Sequence, residues 1–404
     1  MQPGTIYLDG NSLGLLSRDA EETVRAALDQ WKRLAIQGWS TGDPPWGRLD
    51  TELGRQLAPL VGAEADEVVA TASITVNLHN LVATFYRPEG RRRRIIANAL
   101  DFPSDIHALV GQIALHGGVP QQDLVRVASR DGRTIDEDDV IAAMTDEVAL
   151  VVLPSVLYRS GQLLDMARLT AAANERGIPI GWDCAHSAGA IPHEFDAWGV
   201  DFAVWCNYKY LNAGPGSIGA LYVNRRHFGR APGLPGWWGV ALPERFEMRH
   251  EHKPAGGADA WQVSTIPVLS AAPLLGSLRI IAEAGIDRIR ARSLALTDYL
   301  IEQVESQGLL AAPYQYAIGT PREHARRGGH VAVEHEQAAA IMRALERRGV
   351  IPDFRPPNVI RLAPIALYTS YADLWDTVEH LKQVIDHDEH HAQVEQAPSL
   401  IMPR

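Results

Sequence analysis

The sequence predicts an α/β protein in which helices sandwich a mostly parallel sheet, followed by a smaller α+β carboxyl-terminal domain. Three observations carry this. Short apolar runs bounded by Gly, Pro, Asp or Asn recur along the first half of the chain, as buried strands do. Stretches with helical spacing separate them, which favours a parallel sheet covered on both faces. Polar residues collect where the runs end: Asp183 and His186 after one, Tyr208 and Lys209 after the next. That edge is where open α/β sheets gather ligand groups.

The amino-terminal elements come first. Ile6-Tyr7-Leu8 reads as an extended piece ending in the polar turn Asp9-Gly10-Asn11-Ser12-Leu13-Gly14, whose Gly and Asn turn chemistry explains. Ser17 is placed to cap a helix that Gly38 stops. Trp39 and Trp46 stand in a loop, and exposed tryptophan calls for a cover, whether packing, a ligand or a partner.

Val68-Val69-Ala70 is a strand, and Thr71 to Asn77 leads from it into a helix whose start can seat a phosphate or simply be capped. Ile95-Ile96-Ala97 precedes Asp101-Phe102-Pro103-Ser104-Asp105, where a phenylalanine can face a cofactor ring. Val148 to Leu153 is the clearest buried strand, ending at Pro154-Ser155, and a helix follows from Leu164-Asp165 to Gly177.

Beyond the centre, the Gly- and Pro-rich segment from Phe228 to Asp259 contains Gly236-Trp237-Trp238-Gly239 and reads as a long functional loop. A helix runs from Leu274 to Ile281. Short strands at Val331–Val333 and Val359–Leu362, with a helix from Gln337 to Arg348, mark the smaller domain. The expected division is an arm at 1–45, a large domain at 46–277 and a small domain at 278–404.

Arg361 sits in an apolar strand and needs an anion: a substrate carboxylate held by its fork, or an Asp or Glu as a structural pair. His387, His390 and His391 belong to a polar, solvated tail rather than a metal site.

Composition sets the outer limits. The 404 residues are 46% apolar and 22% charged with a net charge of -11, which argues against nucleic acid or an anionic membrane as partner. Arg91 to Arg94 form the one basic run, after Pro88-Glu89-Gly90, and read as a solvated turn entering a strand. Cys184 and Cys206 read as reduced thiols in buried strands, and no targeting or membrane-spanning pattern is seen, so the cytoplasm is the expected compartment.

The chemistry concentrates between residues 178 and 224. A lysine after one buried strand, facing an aspartate after its neighbour, is the layout that pyridoxal phosphate requires: the amine condenses with the cofactor aldehyde and later moves protons. The aspartate pairs with the pyridine nitrogen, an interaction worth on the order of 4 kcal/mol at an effective dielectric near ~20. The small, rigid turn Leu-Asn-Ala-Gly-Pro-Gly-Ser after Lys209 suits a site better than an ordinary surface loop. By its DCAH and NYKY motifs the stretch resembles the fold-type I pyridoxal phosphate enzymes.

Taken together, YLDGNSLGL, TASITVNLH, LDFPSD, DCAH, NYKYLNAGPGS, GWW and RLAPIALYTS resemble the kynureninases, from Tyr7 to past Ser370. The resemblance implies Lys209 as the cofactor lysine, Asp183 as the pyridinium partner with His186 beside it, and Tyr208 as a proton shuttle. It implies Phe102 on the ring, Ser104 and Asp105 in the same segment, and a phosphate held by Ile74, Thr75, Ser155 and Tyr208, with Trp237 and Thr265 of a second subunit. Arg361 takes the α-carboxylate, while Ser12, Trp39 and Thr265 line the aryl-ketone pocket. The implied reaction is hydrolysis of L-kynurenine to anthranilate and L-alanine by a homodimer with a shared active site, in tryptophan catabolism and NAD biosynthesis. Relatives often carry His where Val240 stands, so a polar contact from that place is not expected here. Trp39 and Thr265, where animal relatives have His and Asn, imply a preference for kynurenine over its 3-hydroxy form.

Two other readings use the same residues. An aminotransferase shares cofactor and spacing, and a noncatalytic pyridoxal phosphate-binding protein needs no turnover. A cysteine desulfurase needs a cysteine on a loop beyond the lysine, and none follows Cys206.

Overall fold

The structure, a computed structural model, describes residues 4–391. The chain opens with β1 (Ile6–Tyr7) and then builds a seven-stranded sheet from β2 (Val68–Ala70), β3 (Arg94–Asn98), β4 (Leu124–Val127), β5 (Val148–Pro154), β6 (Ile180–Asp183), β7 (Phe202–Cys206) and β8 (Gly219–Val223). Its spatial order is β2-β8-β7-β6-β5-β3-β4. Only β8 runs against its neighbours, so the sheet is mostly parallel, as the alternation of runs and helices predicts.

Period-two alternation divides the strand side chains between two apolar layers. Trp182 and Trp205 point into one, Phe202 and Val204 into the other. Each of these large side chains contributes roughly 2–3 kcal/mol by leaving water. Gly181 in β6 makes that packing possible, because a Cβ there would fall on the Phe202 ring of the next strand.

The remaining strands are β9 (Ala317–Ile318), β10 (Val331–Glu334), β11 (Val350–Ile351), β12 (Asp353–Arg355) and β13 (Val359–Leu362). Four of them form a second, antiparallel sheet in the order β12-β13-β10-β9. The fifth, β11, pairs in parallel with β1, so the amino-terminal segment is stitched to the carboxyl-terminal third of the chain.

Ser17 caps the helix Arg18–Leu34, its hydroxyl accepting from the Ala20 N–H at 3.1 Å. That helix lies on the helix Val268–Ala284. The latter begins earlier than the sequence suggests, because Pro273 is accepted in its second turn, where the missing N–H costs a single hydrogen bond. We propose the three-part division at 45 and 277 as an organising scheme; the second boundary falls within this helix. Among the described residues, no single helix is long and apolar enough to cross a membrane.

Candidate active site

The carboxyl ends of β5, β6 and β7 open onto a cavity of about 230 Å³. Asp183 ends β6, and its carboxylate accepts the Ala185 N–H at 2.7 Å. His186 follows in the same turn. Tyr208 and Lys209 lie just past β7, and the lysine Nζ is 3.1 Å from His186 Nε2.

Burial first, then the Lys209 and Arg361 charges, push His186 well below the usual histidine range. Its imidazole is therefore neutral, its Nε2 accepts from the lysine, and its Nδ1 is buried without a partner. Burial likewise raises the Tyr208 phenol, which keeps its proton. Asp105 and Asp101 crowd against Asp183. Burial, with Asp183 adding to it, raises Asp105 well above the carboxylate range and Asp101 to about 8. Both cysteines are buried: Cys184 is pushed up to about 12, largely by burial, and burial also raises Cys206, which lies against Tyr208.

On one side of the cavity two helices, Ile74–Phe85 and Pro103–Leu115, bring their first turns together, and neither first turn has a side-chain cap. Thr75 Oγ1 and Ser104 Oγ meet there at 2.7 Å. Two uncapped helix starts with paired hydroxyls are an anion seat. Beside them the Phe102 ring stands 43% exposed, edge-on to Tyr158 at 5.2 Å. A free aromatic face, an anion seat, an amine and a carboxylate around one cavity fit pyridoxal phosphate.

The opposite side comes from the ends of the chain. Arg361 on β13 is 1% exposed and donates to the Tyr158 carbonyl at 2.7 Å, to Ser12 Oγ at 2.9 Å and to Asp353. The anion that the sequence demands for Arg361 is thus supplied internally by Asp353, its cross-strand partner on β12. Arg355 also lines this side. The turn from Asp9 to Gly14 is held by more than turn chemistry: the Gly14 N–H donates to the Tyr208 carbonyl at 2.7 Å, and a Cβ on Gly14 would collide with the Lys209 carbonyl and Asn212.

The cavity gathers Ser12, Ile74, Thr75, Phe102, Ser104 and Asp105 with Asp183, His186, Tyr208, Lys209 and Arg361. Four expected contacts are not made within the chain. Ser155 turns away, its hydroxyl spent on the Asp183 carbonyl at 3.1 Å and on Ser187 at 2.7 Å. Trp39 stacks edge-on with Trp46 and Trp238 and lines a separate apolar groove of about 680 Å³. Thr265 is exposed, and Trp237 lines another cavity with Val240, where its Nε1 donates to the Arg245 carbonyl at 2.8 Å. At the far end of the chain Asp388, His390 and His391 place ligand atoms within 4.8 Å of one another on partly solvated side chains.

Sequence reasoning missed Asn11, Tyr158, Asp353 and Arg355. Only Asn11 sits inside a motif; Asp353 and Arg355 become visible once the β12–β13 register is known, and Tyr158 once the segment after β5 is set against Phe102 and Arg361.

Known proteins are similar to this chain in two ways. By fold, the apo cysteine desulfurase of Thermococcus onnurineus NA1 matches with a TM-score of 0.80 at 16% identity, covering 95% of each chain. A complex of the cystine C–S lyase C-DES matches with a TM-score of 0.81 at 18% identity, covering 94% of this chain and 97% of that one. At such identity these show the fold alone.

By sequence, the model of the kynureninase C-terminal domain matches residues 289–381, and that of the DegT/DnrJ/EryC1/StrS aminotransferase family matches residues 32–197. The kynureninase of Geobacillus thermodenitrificans (strain NG80-2) is 55% identical over 385 residues, 95% of this chain and 89% of its own length. That of Bacillus mycoides (strain KBAB4) is 54% identical over 387 residues, 96% and 90% respectively. With over half its residues shared with these relatives along nearly its whole length, the chain belongs to the kynureninase family.

Proposed function

We propose that this protein hydrolyses L-kynurenine to anthranilate and L-alanine with pyridoxal 5'-phosphate as cofactor. One observation carries the reading: an amine, Lys209 Nζ, stands in a single cavity between an anion seat at Thr75 and Ser104 and a carboxylate-binding arginine. That arrangement positions an α-amino acid with its α-carbon against a base.

When bound, the cofactor supplies an electron-withdrawing ring that takes up the charge left on the substrate as bonds at the α- and β-carbons break. The protein does the rest. Arg361 and Ser12 fix the carboxylate, which sets the direction of the carbon chain. Lys209 takes the α-proton at its amine, and neutral His186, 3.1 Å away, orients that amine without competing for charge. Tyr208, protonated by virtue of its burial, returns a proton to the alanine fragment. Water supplies one oxygen of the anthranilate carboxylate, the other being the substrate's ketone oxygen, and both of its hydrogens to the products, so the reaction balances with no oxidant.

The site is completed by a second copy of the chain. Trp31 and Ile36 stand exposed beside the groove that Trp39 lines, and apolar side chains so placed favour burial against another subunit. In this reading Trp237 and Thr265 of one protomer reach the phosphate of the other. Mixing a Lys209→Ala protein with a Thr265→Ala protein is expected to restore part of the activity that each lacks; no gain on mixing would leave the site within one subunit.

Purified holoprotein given L-kynurenine is expected to release fluorescent anthranilate and one equivalent of alanine with no keto-acid acceptor, and to have a higher kcat/KM for kynurenine than for its 3-hydroxy form. Alanine release only when a keto acid is present would mark an aminotransferase. Absence of any anthranilate would leave a noncatalytic binder.

A further inference from the structure

The functional reading above gives the substrate carboxylate one arginine, yet that arginine is already engaged. Arg361 gives three of its donors to Tyr158, Ser12 and Asp353, and the aspartate is 3% exposed. A carboxylate arriving at Arg361 alone would meet the negative charge of Asp353 at close range. Like charges in a buried site repel strongly, and an aspartate that loses its partner there is left uncompensated.

Arg355 resolves the conflict. It follows Asp353 by two residues on the same edge strand, so its side chain lies on the same face of the sheet. Its Nη2 is 2.9 Å from the same Asp353 oxygen that Arg361 uses. Both arginines line the cavity, but Arg355 is about a quarter exposed while Arg361 is almost wholly buried. Both arginines keep a buried Nε–H with no acceptor.

Two guanidiniums therefore face one aspartate, and an incoming carboxylate brings the count to two against two. The remaining charged groups nearby are Asp9 and Lys209. Burial raises the Asp9 carboxyl, which favours its neutral form, while Ser12 and the surrounding cations oppose the shift.

We propose that Arg355 is a positioning residue for carboxylate recognition, holding Asp353 so that Arg361 is released to the substrate. The proposal rests on the functional reading above and adds a residue to it. Arg361 makes the contact; Arg355 makes the contact possible by keeping the aspartate paired while Arg361 turns.

The test uses holoenzyme carrying Arg355→Gln or Arg355→Lys. KM and kcat are measured for L-kynurenine, and dissociation constants for L-alanine and L-alaninamide are read from cofactor absorbance. R355Q is expected to raise KM and the alanine constant about 30-fold with kcat within about threefold, and to leave alaninamide within about threefold; R355K recovers about tenfold. Parallel weakening of alanine and alaninamide, an unchanged KM, or no recovery by lysine overturns the proposal, since an arginine that merely stabilises the fold affects both ligands alike. Should R355Q not fold, R355K carries the test through the ratio of the alanine to the alaninamide dissociation constant, expected to rise about threefold; an unchanged ratio overturns it. If unmodified holoenzyme fails to cleave kynurenine, the functional reading falls, while the two amino-acid ligands still decide the role of Arg355 by binding.

Discussion

The two sides of the cavity are built differently. The cofactor side is local: Asp183, His186, Tyr208 and Lys209 come from two adjacent strand ends within 27 residues of sequence, and the anion seat comes from two neighbouring helix starts. The carboxylate side is assembled from opposite ends of the chain, with Ser12 bonded to Arg361 across 349 positions. The first side is fixed by the sheet. The second exists only when the amino-terminal turn and the small antiparallel sheet are both in place, so it depends on tertiary assembly for its existence as well as for its precision.

The contrast predicts that variants on the two sides fail in different ways. The largest effect is expected on the cofactor side: Lys209→Ala should lower kcat at least ~10⁴-fold and abolish borohydride labelling of the chain by cofactor, while the carboxylate side still recognises ligand. A comparable loss in KM instead would erase the distinction. On the other side, Arg361→Lys keeps the charge but loses the fork and should raise KM roughly 100-fold with a much smaller change in kcat, measured by steady-state kinetics.

The smallest effect concerns what supports both sides. His193, under the turn after β6, and His330, beside His186, are buried and lowered by burial from 6.5 to about 4 and about 3. Each takes up its proton more readily in the unfolded chain, so the unfolded state binds more protons as pH falls. Folding stability is therefore full above pH 6.5 and declines toward pH 3 to 4, by up to about 1.4 kcal/mol per pH unit for each histidine. Replacing His330 with Gln should flatten the fall of Tm between pH 6.5 and 4; an unchanged slope would show that the ring is not neutral in the fold.

The same division decides what can be read from sequence. The strand Phe202–Cys206 and the cluster around it are legible because buried β-strands are apolar throughout and the charged residues mark their ends. Leu124–Val127 is not, since Arg126 interrupts a four-residue run on the sheet's edge. Asp353-Phe354-Arg355, framed by Pro352 and Pro356, looks like a loop; only its antiparallel register with Arg361 gives its charges a purpose. Ser155 shows the converse. Its position at a strand end suggests a hydroxyl facing ligand, but Ser187 and the Asp183 carbonyl draw it beneath the floor of the site. Trp39, Trp237 and Thr265 stand outside the cavity that the described residues of one chain form.

Residues 6 to 14 touch both the carboxylate side and the loop that carries the lysine. Within this short span the Leu8 N–H bonds the Ile351 carbonyl, the Leu8 carbonyl accepts from Ala363, Ser12 meets Arg361 and Gly14 meets the loop before the lysine. Peeling that strap back would slacken the substrate clamp and the base together, so catalytic competence and the docking of the chain's beginning rise and fall as one event. A fusion partner that tugs on it will first be noticed as poor saturation by substrate, with the rest of the molecule still intact.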